Sequence, residues 1–255
     1  MEGAAESIGR AAELFAAALT VGGRVVYVGA GTSGRLGVLD AAELPPTFGS
    51  DPRQVIALLA GGRAAITRAV EGAEDRGHEG ERAIATLSVS PADLVIAIAA
   101  SGITRYSRAA LSEGRRRGAR TVFITCARPP ADLACDVLIR VDVGPEVIAG
   151  STRLKAGTAT KLILNAISTA AMVRLGKVWR GRMVDLVATN AKLRERARRT
   201  VEELGGVSPQ RAAALLTRAG GSVKLAVAAA LLGLPIKAAR ARLDAVGGRL
   251  SALIE

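Results

Sequence analysis

Aromatic side chains are almost missing from this 255-residue chain, which has one Trp, two Tyr and three Phe. Single-stranded nucleic acids are gripped by stacking their bases on such rings, so that class of surface is poorly provided for. Histidine is scarcer, with His78 alone, and the two cysteines, Cys126 and Cys135, lack metal-ligand spacing. Zinc sites and histidine-dependent triads are therefore set aside, and the chain reads as a reduced, cytoplasmic protein. No uncharged apolar run reaches the roughly 18 residues of a membrane span, and the N-terminus has no basic segment followed by an apolar one. Acidic residues are also few, 23 against 35 basic ones, for a net charge of +12. Of the basic residues 29 are Arg, and residues 191–255 alone carry +7. Such an arginine bias in an alanine-rich chain reads as compositional drift rather than a nucleic-acid surface.

What is present is aliphatic. Hydrophobic residues make up 49% and charged residues 23%, a globular balance whose core has to be built from Ala, Val, Leu and Ile. Apolar runs at residues 24–29, 54–60, 93–99, 120–125 and 136–141 have the length and β-branching of strands buried on both faces. Helical patterns at residues 1–19, 34–44, 62–71, 79–87 and 106–117 alternate with them. This alternation predicts an α/β fold, a doubly wound, flavodoxin-like five-stranded parallel sheet with ligands beyond the carboxyl ends of its strands. A long helix is expected over 155–175 and a basic one over 186–204. Ser208-Pro209 supplies a cap and a first-turn proline for another, and short helices follow at 222–232 and 235–245. The expected division is a sheet domain over 1–190, then a helical linker and small three-helix bundle over 191–255.

Two turns carry hydroxyls where such a sheet binds ligands. The first, Gly29-Ala-Gly-Thr-Ser-Gly34, leads straight into a helix, and its glycines, free N–H groups, Thr32 and Ser33 suit an anion such as phosphate. A dinucleotide is disfavoured, because the second strand ends Leu58-Leu-Ala-Gly-Gly62 without the acid that binds a ribose. The second turn, Ala100-Ser-Gly-Ile-Thr104, follows the third strand and converges on the same crevice. Ser151-Thr-Arg-Leu-Lys155 opens the long helix, either as a solvated cap or as positive charge beside that pocket. Carboxylates are the candidates for acid/base work: Glu43 before Pro45-Pro46, and the group Glu71, Glu74 and Asp75, with Glu71 and Glu74 spaced to share a helix face.

These residues resemble a known family. Val28-Gly-Ala-Gly-Thr-Ser-Gly-Arg-Leu-Gly-Val-Leu-Asp-Ala-Ala-Glu43 is similar to the signature of the N-acetylmuramic acid 6-phosphate etherases. So, in order, are Ala69–Asp75, Ile98–Gly102, Val143–Val147, Gly150–Thr158 and Met183–Leu193. The resemblance implies a sugar isomerase (SIS) phosphosugar-binding domain followed by a UBA-like helical bundle, and a homodimer whose interface uses the helix near Lys155. It also implies cleavage of the D-lactyl ether of N-acetylmuramic acid 6-phosphate, in peptidoglycan recycling, by elimination and water addition. The expectation includes no metal or other cofactor and no nucleic-acid or membrane partner. Carried onto this chain, the catalytic pair falls on Glu43 and Glu74. Thr32, Ser33, Gly34, Ser101, Gly102 and Thr104 would hold the phosphate, and Ser151, Thr152 and Lys155 would close the sugar pocket. Part of the positive charge, at Arg105, Arg153 and Lys155, would serve the sugar phosphate.

Three departures stand out. Family members carry further residues before the first helix, Ile103 stands where they usually have Arg, and Leu44 replaces a usual Cys. Arg105 is a neighbouring position from which the charge lost at Ile103 could be restored. Two other readings stay open on the same fold: a non-catalytic regulatory phosphosugar binder, which has no need of paired acids, and an aldose–ketose phosphosugar isomerase, for which His78 is the only histidine candidate.

Overall fold

The computed structural model describes residues 2–188 and 191–254. Strands β1 (Val25–Gly29), β2 (Val55–Leu59), β3 (Leu94–Ile98), β4 (Arg120–Thr125) and β5 (Val137–Arg140) form one parallel sheet in the order β2-β1-β3-β4-β5. Each expected apolar run contains one of these strands. β1 and β3 are buried at every position, as central strands covered on both faces require, whereas edge strand β5 alternates buried and exposed residues. Helices α1 (Ala5–Thr20), α2 (Gly31–Phe48), α3 (Gly77–Thr86), α4 (Arg105–Arg116) and α5 (Lys155–Arg174) connect or cover the strands. α1 buries Ile8, Ala11, Ala12, Phe15 and Leu19, the stripe its spacing predicts.

The chain forms two compact units. One comprises the residues up to Ala42 together with Asp51–Ala171, and the other comprises Glu43–Ser50 with the residues from Met172 onward. In the second unit β6 (Val178–Trp179) and β7 (Arg182–Met183) make a small antiparallel hairpin. Its two-residue turn, Arg180 and Gly181, has φ of 47° and 71°, the left-handed pairing that matches strand twist. Strands of two residues leave no periodicity to read. Helices α6 (Ala191–Gly205), α7 (Pro209–Arg218), α8 (Val223–Leu232), α9 (Ile236–Ala245) and α10 (Ser251–Ile254) follow, packed around Trp179, Val201, Ala212, Val227 and Ala239. Ser208 and Ser222 each accept a backbone N–H, from Arg211 and Leu225, and so cap α7 and α8. No single helix among the described residues is long and apolar enough to cross a membrane.

Three helix expectations need correction. α2 starts at Gly31 and continues past Leu44 to Phe48, because Pro45 and Pro46 keep a helical φ while lacking only the N–H groups that would bond Ala41 and Ala42. The basic helix runs over Ala191–Gly205 and does not include Leu186–Ala188, which are irregular and follow Asp185, itself paired with Lys177 at 2.9 Å and Lys224 at 2.6 Å; residues 189–190 lie outside the described residues. Residues 62–71 are not an α-helix: a single 3-10 turn at Gly62–Ile66 is followed by irregular chain. The reason is tertiary. Arg35 Nε donates to the carbonyls of Ala65 and Ile66 at 2.9 and 3.1 Å, and its terminal nitrogen donates to that of Arg68 at 3.0 Å, taking oxygens that a continuing helix would need.

Candidate active site

In the order β2-β1-β3 the chain leaves β1 toward one sheet edge and β3 toward the other, which opens a crevice beyond their carboxyl ends. Gly29 is paired with Ile98, so the turns that follow these residues leave the sheet at one level. Both expected hydroxyl turns therefore flank the crevice. In the first, Gly31 is exposed with φ 51°, and Thr32 and Ser33 are half-buried. Gly34 does something different: it lets α2 approach the sheet, since a Cβ there would lie 2.4 Å from Leu59 Cδ1 and 2.6 Å from the Gly29 carbonyl oxygen. Its N–H already donates to the Ala30 carbonyl at 3.2 Å.

In the second turn Ser101 is exposed, and its Oγ accepts the Ile103 N–H at 3.4 Å. Gly102 is buried with φ 78°, and a Cβ on it would lie 3.1 Å from Pro129 Cα. Thr104 occupies the N-cap position of α4, yet its hydroxyl makes no capping bond. The N-terminal amides of α4 thus receive no bond from that hydroxyl, and the positive end of the helix dipole lies behind them. Ile103 is 61% exposed. Arg105 lines a groove with Gly77, Arg108 and Asp132.

The third polar segment meets the first at the start of α5. A Cβ built on Gly157 would lie 3.4 Å from Thr32 Cγ2, so the opening turn of α5 packs beside the β1–α2 turn. Ser151 is half-buried there, and Thr152, Arg153 and Lys155 are exposed. The end of α5 is already filled, because the Glu146 carboxylate accepts the N–H groups of Ala156 at 3.0 Å and Lys155 at 2.8 Å. Those bonds, Ala156 first, hold the Glu146 carboxyl below the usual glutamate range. Sequence reasoning assigned Glu146 no role, and its only signal was membership of the Val143–Val147 segment.

The acids divide between the two units. Glu74 and Glu71, with Gly31, Arg35 and Gly72, line a cavity of about 190 Å³ at the ends of β1 and β2. They share that cavity rather than a helix face: Gly72 turns the chain between them with φ 69°, and Ala73–Asp75 is a short 3-10 turn. Glu43 is exposed on α2 and belongs to the Glu43–Ser50 stretch of the second unit. One helical turn earlier, buried Asp40 accepts the Tyr27 hydroxyl at 2.7 Å and the Ser168 hydroxyl at 3.1 Å, tying β1, α2 and α5 together. Burial, and then the Asp40 charge, push the Tyr27 phenol well above its usual pKa. His78 is exposed in the first turn of α3. Among the described residues no cluster of three His, Cys, Asp or Glu side chains is disposed to hold a metal ion.

Comparison with known proteins identifies the fold and the family. Residues 7–114 match the glucokinase regulatory protein N-terminal SIS domain. The solved structure of phosphoheptose isomerase from Neisseria gonorrhoeae is similar in fold, with a TM-score of 0.51 at 18% identity over 66% of this chain and 87% of its own. N-acetylmuramic acid 6-phosphate etherases are much nearer in sequence. That of Synechococcus elongatus is 53% identical over 91% of this chain and 76% of its own length. Those of Synechocystis and Deinococcus radiodurans are 49% and 50% identical, over 97% and 96% of this chain and 82% and 83% of theirs. At this identity and coverage the chain belongs to the N-acetylmuramic acid 6-phosphate etherase family.

Proposed function

We propose that this enzyme cleaves the D-lactyl ether of N-acetylmuramic acid 6-phosphate, releasing D-lactate and N-acetylglucosamine 6-phosphate. The observation that carries the reading is the 49–53% identity to etherases over more than nine-tenths of the chain. The chemistry suits the residues at hand. Opening of the sugar ring exposes an aldehyde whose neighbouring C–H is acidic, a base removes that proton, lactate departs from the next carbon, and water adds to the resulting double bond. Two carboxylates suffice for these proton transfers. Glu74 is the base that takes the proton, supported by its place in the cavity beside Gly31. Glu43 is the acid that protonates the departing lactate oxygen.

The phosphate is held by Thr32 and Ser33 of one turn and by Ser101 and Thr104 of the other, with the uncapped end of α4 supplying amides. Gly34 and Gly102 serve by letting those turns form. Ser151, Thr152 and Lys155 close the sugar pocket from the segment that opens α5. The phosphosugar-binding portion spans residues 1–190, and 191–255 form the helical appendage. The protein acts in the cytoplasm as a homodimer, for which the exposed face of α5 around Leu162, 50% exposed, is an available surface.

A coupled D-lactate assay on the purified protein with N-acetylmuramic acid 6-phosphate tests the reading. Stoichiometric D-lactate is expected. Binding of the sugar phosphate without lactate release would favour a regulatory phosphosugar binder instead.

A further inference from the structure

The segment that carries Glu71 and Glu74 has little to hold it in place. Between Gly61 and Asp75 only Ala65 and Ala73 are buried, with Val70 partly so, and ordering so exposed a stretch is opposed by its chain entropy. The strongest tether is Arg35. Its guanidinium donates to three carbonyls of the segment, Ala65 and Ile66 from Nε and Arg68 from the terminal nitrogen, at 2.9, 3.1 and 3.0 Å. Arg35 stands two residues after Ser33 on α2, so one rigid helix carries both the anion turn and this clamp. It also lines the cavity that Glu74 lines. Its three recorded hydrogen bonds, from Nε and one terminal nitrogen, all go to backbone oxygens of the segment, and no ion pair to a carboxylate is recorded for it among the described residues. Lysine would not replace it, since one ammonium on a flexible stem cannot reproduce a planar fork reaching several carbonyls.

We propose that Arg35 is a positioning residue for the etherase reaction: by clamping the 65–68 carbonyls to the phosphate turn, it sets the place of Glu74 relative to the bound sugar phosphate. This rests on Glu74 being the base. A displacement of the base by about 1 Å is enough to cost on the order of a hundredfold in rate, whereas the phosphate contacts are unaffected. The effect belongs in kcat and not in KM.

The test is a double-mutant cycle of Arg35→Lys and Glu74→Gln, read by D-lactate release with KM and kcat separated, and by thermal melting. Arg35→Lys is expected to lower kcat about 10- to 100-fold with KM within about threefold, and to cause almost no further loss in the Glu74→Gln background. Equal losses in both backgrounds, unchanged kcat, or a rise in KM alone would overturn the proposal. Full activity in Glu74→Gln itself would instead remove the base assignment, so the two failures are distinct. Should Arg35→Lys not fold, Arg35→Ala with added guanidinium ion takes its place. Recovery of kcat with rising guanidinium supports the clamp, and soluble, folded protein with no recovery counts against it.

Discussion

Hydroxyl-bearing residues at helix N-caps are used differently in the two units. In the second, α7 and α8 are closed by their own serines, Ser208 and Ser222, each accepting a backbone N–H at 3.3 Å. In the first, Thr104 sits at the corresponding position of α4 with a hydroxyl equally able to cap, and makes no such bond. α5 is closed, but from a distance, by Glu146. A helix end satisfied internally gains stability, whereas one left open is suited to an anion; of the hydroxyl-bearing caps at Thr104, Ser208 and Ser222, the open one is beside the crevice.

Substitutions can break or sharpen this contrast. The largest effect is expected from Glu74→Gln, which removes the proposed base and is predicted to lower D-lactate release by at least about a hundredfold while the protein melts normally. Gly34→Ala comes next, because its Cβ meets backbone at 2.6 Å; a loss of about 1–3 kcal/mol in urea unfolding is expected, with activity falling alongside. Thr104→Ala is predicted to raise KM about tenfold, the worth of a hydrogen bond to a charged group, and to leave the melting temperature nearly unchanged. Ser222→Ala should do the reverse, costing about 1 kcal/mol of stability with KM intact. If both threonine and serine changes act on stability alone, the contrast between open and closed helix ends is wrong.

The smallest effect concerns pH. The Glu146 carboxyl is held below its usual range by the Ala156 and Lys155 amides, so its contribution to stability is present above the unfolded glutamate value and is lost as pH falls through the lowered one. Melting curves of the wild type and Glu146→Gln should therefore differ near neutral pH and converge in acid. A difference that grows in acid would contradict the assigned cap.

The sheet was legible because buried parallel strands announce themselves as uninterrupted apolar runs, and both hydroxyl turns could be located from the glycines that follow β1 and β3. Residues 62–71 were not, because what prevents a helix there is a side chain from elsewhere in the chain, Arg35, competing for carbonyls. The same segment misled about its acids: Glu71 and Glu74 are spaced for one helix face yet meet through a turn at Gly72. The helix ending expected at Leu44 failed for a local reason, since two prolines that look like a stop fit the last turns of α2. Glu146 was invisible because a cap reaching back from nine residues earlier has no fixed spacing.

The central claim, elimination followed by addition of water at the sugar carbon, is tested most directly by running the reaction in ¹⁸O-labelled water and locating the isotope by mass spectrometry. The account predicts label in the sugar phosphate and none in D-lactate. Label in the lactate, with unlabelled sugar, would contradict it.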